Sequence, residues 1–230
     1  DQGNDNTCDL ADPQCEEGLV CEAITDGEPQ CVGPVLIRGM VINLADAAPI
    51  EGARIQAVDV NGAAVGTSGV SAADGTYELT VPVLRDADGL PLEGSFTLRV
   101  QAADYQEFPT AIRPALPLDP ATAVEEDESF VIENALTTVG LIALPGDTSQ
   151  LGSIAGTIAA DPDAGVLLVA SDGTSAYVGF SDSAGAYAIF NVPAGTYNVS
   201  GYLAGLQLST ASASLDAGED EHLQRLRALL

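Results

Sequence analysis

The chain of 230 residues has no lysine and no tryptophan, a single methionine and a single histidine, and only seven arginines against 34 acids. Each shortage closes a class of function. Without lysine there is no Schiff base, no catalytic ammonium and no lysine for an intramolecular isopeptide cross-link. A net charge of −27 repels phosphate backbones and anionic lipid, which excludes nucleic acid and membrane surfaces of that kind as partners. The lone His222 stands among charged residues near the C-terminus, so serine or cysteine chemistry has almost no base to draw on. The phosphate-binding glycine loop, the dinucleotide fingerprint and the zincin motif are all missing. Carboxylates are plentiful but cluster in loops, where solvation is the default. The chain is expected to be non-enzymatic.

Long apolar runs are missing too. The most apolar segment, Val139 to Leu144, is closed by Pro145, far short of the roughly 18 residues a membrane helix needs. What is present is 46% hydrophobic residues, which supports globular folding, in a length that suits two β domains. The numbering begins at Asp1 and not at Met, which suggests a mature secreted product; an acylated cysteine just upstream is left open.

Cysteine occurs only at positions 8, 15, 21 and 31. Four cysteines in a short segment rich in Gly and Pro predict a disulfide-stapled module over residues 1–33, and hence an oxidising compartment. Three pairings are open. Interleaved bridges, Cys8 with Cys21 and Cys15 with Cys31, constrain a coreless loop segment most. A zinc site lacks the tight two-residue cysteine spacing and has no nearby histidine.

From Val35 the pattern becomes short alternating strands separated by turn residues. In Ser95 to Ala103, Phe96, Leu98 and Val100 alternate with Thr97, Arg99 and Gln101, which places the apolar set inward and the polar set in water. Asp74-Gly75-Thr76-Tyr77-Glu78-Leu79-Thr80-Val81-Pro82 returns as Ala184-Gly185-Ala186-Tyr187-Ala188-Ile189-Phe190-Asn191-Val192-Pro193, with one extra residue before the proline. The echo predicts tandem domains over residues 34–146 and 147–216, with Tyr77 and Tyr187 in equivalent buried positions. The stretch from Phe108 to Glu128, with four prolines and a run of acids, is expected to be an extended surface excursion. Leu223, Leu226 and Leu230 stand at helical spacing, predicting a short amphipathic helix over 217–230.

Gly39-Met40-Val41, Pro49-Ile50-Glu51-Gly52-Ala53 and Asp74-Gly75-Thr76-Tyr77, echoed by Gly156-Thr157-Ile158 and Val192-Pro193-Ala194-Gly195-Thr196-Tyr197, resemble the carboxypeptidase regulatory-like domain. That resemblance implies an all-β chain of two tandem seven-stranded antiparallel sandwiches, Ig-like or transthyretin-like, used as spacers, docking surfaces or adhesive units. It also implies that Gly39 and Gly156 open the first strand of each copy.

The function expected is a secreted or cell-surface structural or adhesive protein, and a self-assembling fibre or layer is within its reach. The alternative is an accessory module that binds carbohydrate or protein. Assembly with copies of itself or with other surface proteins would use segments outside the repeats, namely Phe130, Val139 and Leu141 together with Leu223, Leu226 and Leu230. Glycans would need exposed rings, for which Tyr177, Tyr202, Tyr105 and Phe108 are candidates. No cofactor is expected, with calcium as the one exception considered. Asp86-x-Asp88-Gly89 begins like a calcium loop but has Thr97 where the twelfth-position Glu would stand, and Asp161-x-Asp163 and Asp182 are similarly partial ligand sets.

Overall fold

The computed structural model describes residues 6–159, 165–182, 184–203, 206–222 and 226–227. Almost all regular structure is strand, and the buried side chains fall into two cores, one running from Val35 to Leu141 and the other from Ile154 to Leu226. In the head, β1 (Val20–Glu22) pairs antiparallel with β2 (Gln30–Val32). Disulfides join Cys8 to Cys21 and Cys15 to Cys31, with Cα separations of 5.9 and 5.5 Å. Cys21 and Cys31 face each other across the hairpin, so each bridge ties one strand to the irregular segment before it.

The first core lies between a five-stranded and a three-stranded sheet. Its central strand β3 (Val35–Asn43) has β6 (Thr76–Val81) antiparallel on one side. On the other side β9 (Ser129–Ile132) and then β10 (Thr138–Leu141) run parallel to it, and β8 (Val124–Glu126) pairs with β9. The facing sheet is β5 (Ala64–Val70), β4 (Arg54–Val58) and β7 (Thr97–Gln101). Phe96, Leu98 and Val100 point into the core, as the alternation requires.

The second core lies between sheets of four and five strands. β11 (Leu151–Ala159) has β14 (Ala186–Pro193) antiparallel on one side and two short parallel strands, β18 (Asp220–His222) and β19 (Leu226–Arg227), on the other. Opposite stand β13 (Ala176–Phe180), β12 (Leu167–Ser171) and β15 (Gly195–Leu203), with β16 (Leu206–Gln207) and β17 (Ala211–Leu215) sharing the far edge of β15.

Three expectations are corrected. The sandwiches are neither seven-stranded nor purely antiparallel, because the last strands of each copy return parallel to its first. Among the described residues of 217–230 there is strand where a helix was expected: β18 and β19 pair with the open edge of β11, and Leu226, 1% exposed, fills the second core. Three leucines at this spacing are too few to fix a period, and pairing with β11 decides the conformation of the described residues. Finally, the proline-rich segment is laid against β7, where Phe108 bridges Val100 and Leu118 bridges Phe96. Leu118 is buried in the first core.

The repeat runs deeper than its sequence echo. Tyr77 faces Gly39 across β6 and β3, and Tyr187 faces Gly156 across β14 and β11. Both rings are buried over mid-strand glycines that do not open their strands: a Cβ on Gly39 would lie 2.8 Å from the Tyr77 hydroxyl, and one on Gly156 2.6 Å from that of Tyr187. Six residues before each tyrosine a buried serine hydroxyl accepts from the main chain, Ser71 from Ala53 N–H at 2.9 Å and Ser181 from Val166 N–H at 2.9 Å. In the first copy the parallel partner of the central strand breaks opposite that glycine, between β9 and β10.

Candidate functional site

The extra residue in the second copy of the repeat is a β-bulge. Ile154 pairs with Ile189 and Gly152 with Val192, so Phe190 and Asn191 together oppose Ser153. Asn191 takes φ +59°, a left-handed conformation that asparagine tolerates better than most residues. The kink carries its side chain across to the first sandwich. There its amide Nδ2 donates to Ala102 O at 3.0 Å and Tyr105 O at 2.9 Å, while its Oδ1 accepts from Asp104 N–H at 2.8 Å. One inserted residue thus supplies three bonds between the two units.

The outer face of the three-stranded sheet completes this joint. Arg54 pairs with Asp182 at 3.2 Å and donates to Ala186 O at 3.0 Å, and Ser68 Oγ donates to Ser181 O at 3.0 Å. Gln101 Nε2 donates to Val178 O at 2.9 Å, and the Arg99 guanidinium lies 5.3 Å from the Phe180 ring centre while ion-pairing with Glu107. The polar side of β7, expected in water, therefore lies against the second sandwich. Period-two alternation separates core from non-core and cannot tell solvent from a polar interface. Asp182 shows how the copies diverged. The bonding of the two turns equates it with Ala72, where no such bridge exists.

The head is joined by a buried ion pair. Arg85, fully buried, pairs with Glu22, donates to Gly33 O at 2.7 Å and Gly89 O at 3.2 Å, and packs 5.0 Å from the Phe130 ring centre. Glu22 also accepts from Val83 N–H at 3.1 Å. Burial holds the Glu22 carboxyl above the ordinary carboxylate range in spite of Arg85. Arg38 links β3 to β6 and β8 through Glu78 and Glu126, and Arg113 donates to Gly140 O beside the Phe108 ring. Every described arginine side chain thus joins two separate segments. Among the described residues the charge left over is overwhelmingly acidic.

Of the residues proposed for assembly, Val139 and Leu141 are interior at 3% and 0% exposure, and Leu226 is interior too, so none offers apolar surface. Phe130 is half-buried beside Arg85. Leu223 and Leu230, like Asp161 and Asp163, lie outside the described residues. Asp86 is occupied by its own turn, accepting from Asp88 N–H at 2.9 Å and Leu90 N–H at 2.8 Å; Asp88 is exposed and Thr97 belongs to β7. Asp59, Asp147 and Asp172 hold turns in the same way, and these backbone donors keep their carboxyls below the usual range; for Asp74 the Thr76 hydroxyl and then its N–H do so. Among the described residues the one close grouping of metal-type ligands is Cys8, Cys15 and Cys31, whose sulfurs are in disulfides. His222 is exposed on β18. Of the candidate rings, Phe108 lies under Arg113, Tyr202 is 57% exposed on β15, and Tyr105 and Tyr177 line one cleft at the joint.

No protein-family model matches the chain, and no curated protein matches it. Among solved structures it is similar to the TIE protein of Bacillus anthracis, with 13% identity over 87% of this chain, a TM-score of 0.34, and only 35% of the length of that protein spanned. It is also similar to the shaft pilin SpaA of Lactobacillus rhamnosus GG, with 10% identity, 84% of this chain and 96% of that one covered, and a TM-score of 0.29. The minor pilin GBS52 of Streptococcus agalactiae gives 12% identity, coverages of 85% and 96%, and a TM-score of 0.27. Likeness at this level carries no functional argument.

Proposed function

We propose that the chain is a non-catalytic structural element of a secreted or cell-surface system, a stiff tandem of carboxypeptidase regulatory-like sandwiches that spaces or connects other parts of an assembly. The observation that carries this reading is the Asn191 bulge. A sequence insertion in one repeat, placed in a costly left-handed conformation, serves no core and bonds three times to the neighbouring unit. Interfaces between units of one chain that are free to move have no need of such a device. Arg54, Ser68 and Gln101 support the same purpose. The disulfide-stapled head, clamped onto the first sandwich by Glu22 and Arg85, fits an oxidising extracellular setting and makes the rod continuous from head to second core.

As a spacer the chain would act beside copies of itself or other surface proteins. At −27 per copy, self-repulsion opposes contact, so any self-assembly strengthens with salt or divalent cations. NMR relaxation and small-angle scattering test the stiffness: the two sandwiches should tumble as one body, and Asn191→Ala should loosen them. Two independently tumbling units in the unaltered protein would end the spacer reading.

A further inference from the structure

The cleft at the joint has features that holding two units together does not require. It has a volume of about 240 Å³ and is walled by Tyr105 and Gln106 from the first unit and by Tyr177 and Phe190 from the second. Neither unit forms it alone. Tyr105 is backed by the first core and Tyr177 by the second, where it meets Tyr197 edge-on at 5.9 Å, so the two rings are held by packing before any ligand arrives. Other polar groups of the wall are engaged: Asn191 by its three cross-unit bonds, Gln101 Nε2 by Val178 O and Glu107, and Glu107 by Arg99. The Tyr105 and Tyr177 hydroxyls and the Gln106 amide have no partner among the described residues. Those three groups come from both walls.

We propose that this cleft binds a neutral saccharide. Rigid aromatic walls match the apolar faces of a pyranose ring, and two phenols with one carboxamide supply donors and acceptors for its hydroxyls. The only carboxylate in the wall is neutralised by Arg99, and the field of a −27 chain disfavours sialylated or sulfated sugars. A volume below the roughly 300–1,000 Å³ of drug-sized pockets suits one or two sugar rings at the end of a chain. The site exists only while the joint is closed, so it would couple sugar binding to the stiffness of the rod.

The test uses the full chain and two-dimensional NMR titration with methyl glycosides of glucose, galactose, mannose and N-acetylglucosamine and with their trisaccharides. A sialylated trisaccharide and a neutral extended peptide serve as comparisons. At least one neutral sugar should give saturable shifts confined to residues 101–107, 176–178 and 190–191. Gln106→Ala and Tyr177→Ala should each weaken that binding by about tenfold, the scale of one lost stacking or paired contact. Should Tyr177→Ala disturb the fold, Tyr177→Phe keeps the ring and should weaken binding a few-fold with an unchanged melting temperature. The proposal is overturned if no neutral sugar gives saturable shifts, if both variants bind as the parent does, if the sialylated sugar binds equally well, or if only the peptide binds. These outcomes are separate from the spacer reading, which the tumbling experiment alone decides.

Discussion

Removing one hydroxyl from each copy of the repeat should have opposite effects. Tyr77 Oη donates to Thr137 O at 2.7 Å, and Thr137 is fully buried, so Tyr77→Phe deletes a bond and strands a buried carbonyl. An unsatisfied buried acceptor costs about 1–3 kcal/mol, and that is the expected loss in the first sandwich. Tyr187 is equally buried, at 1% exposure, but its hydroxyl has no partner among the described residues. Tyr187→Phe removes a desolvated group that no described residue bonds, and should stabilise the second sandwich by about 1 kcal/mol. Because a chain with two cores need not unfold in one step, the assay is native-state hydrogen exchange, read separately on the amides of β3 and β6 and of β11 and β14. The same phenols predict a pH response. Burial pushes the Tyr187 phenol up to about 12 from the ordinary phenol value of 10.0, and Tyr77 higher still, so in both the neutral form is favoured by the fold. That contribution is complete below pH 10, where the unfolded chain also keeps its protons, and for Tyr187 it is lost as pH rises towards about 12. Equal losses of protection from the two Phe variants would refute the reasoning, since they would mean that both hydroxyls are bonded.

Three other outcomes are expected. Arg85→Met should cost about 3–5 kcal/mol in chemical denaturation by leaving Glu22 buried and unpaired, whereas pairing it with Glu22→Leu should recover most of the loss; a double variant as damaged as the single one would count against a desolvation origin. Asn191→Ala should remove about 1–3 kcal/mol of coupling between the units while leaving the β11–β14 amides protected, seen as separate tumbling by NMR. Leu226→Ala should cost the second sandwich about 2–5 kcal/mol by thermal unfolding, a loss that a solvent-facing helix residue would not show.

Local pattern alone made much of this protein legible. The crowding of Cys8, Cys15, Cys21 and Cys31 points to a stapled head, alternation marks Phe96, Leu98 and Val100 as core, and the echo around Tyr77 and Tyr187 marks equivalent buried sites, because each of these signals lies within a few residues of the chain. Even the inserted residue before Pro193 was visible as an oddity, though nothing nearby says that a bulge there would aim Asn191 at another unit. Tertiary structure alone decided what pairs across long separations. The edge of β11 takes its partners from the C-terminal segment, so Leu226, placed at helical spacing by the sequence, stands in a strand. Arg99 and Gln101 carry the same alternation whether they meet water or a second sheet, and Tyr105 and Tyr177 are 72 positions apart in sequence yet line one cleft. Residue chemistry and short spacings set which side chains can be buried or bonded; only packing between distant strands chooses their partners, because backbone pairing and cores are satisfied over the whole chain at once.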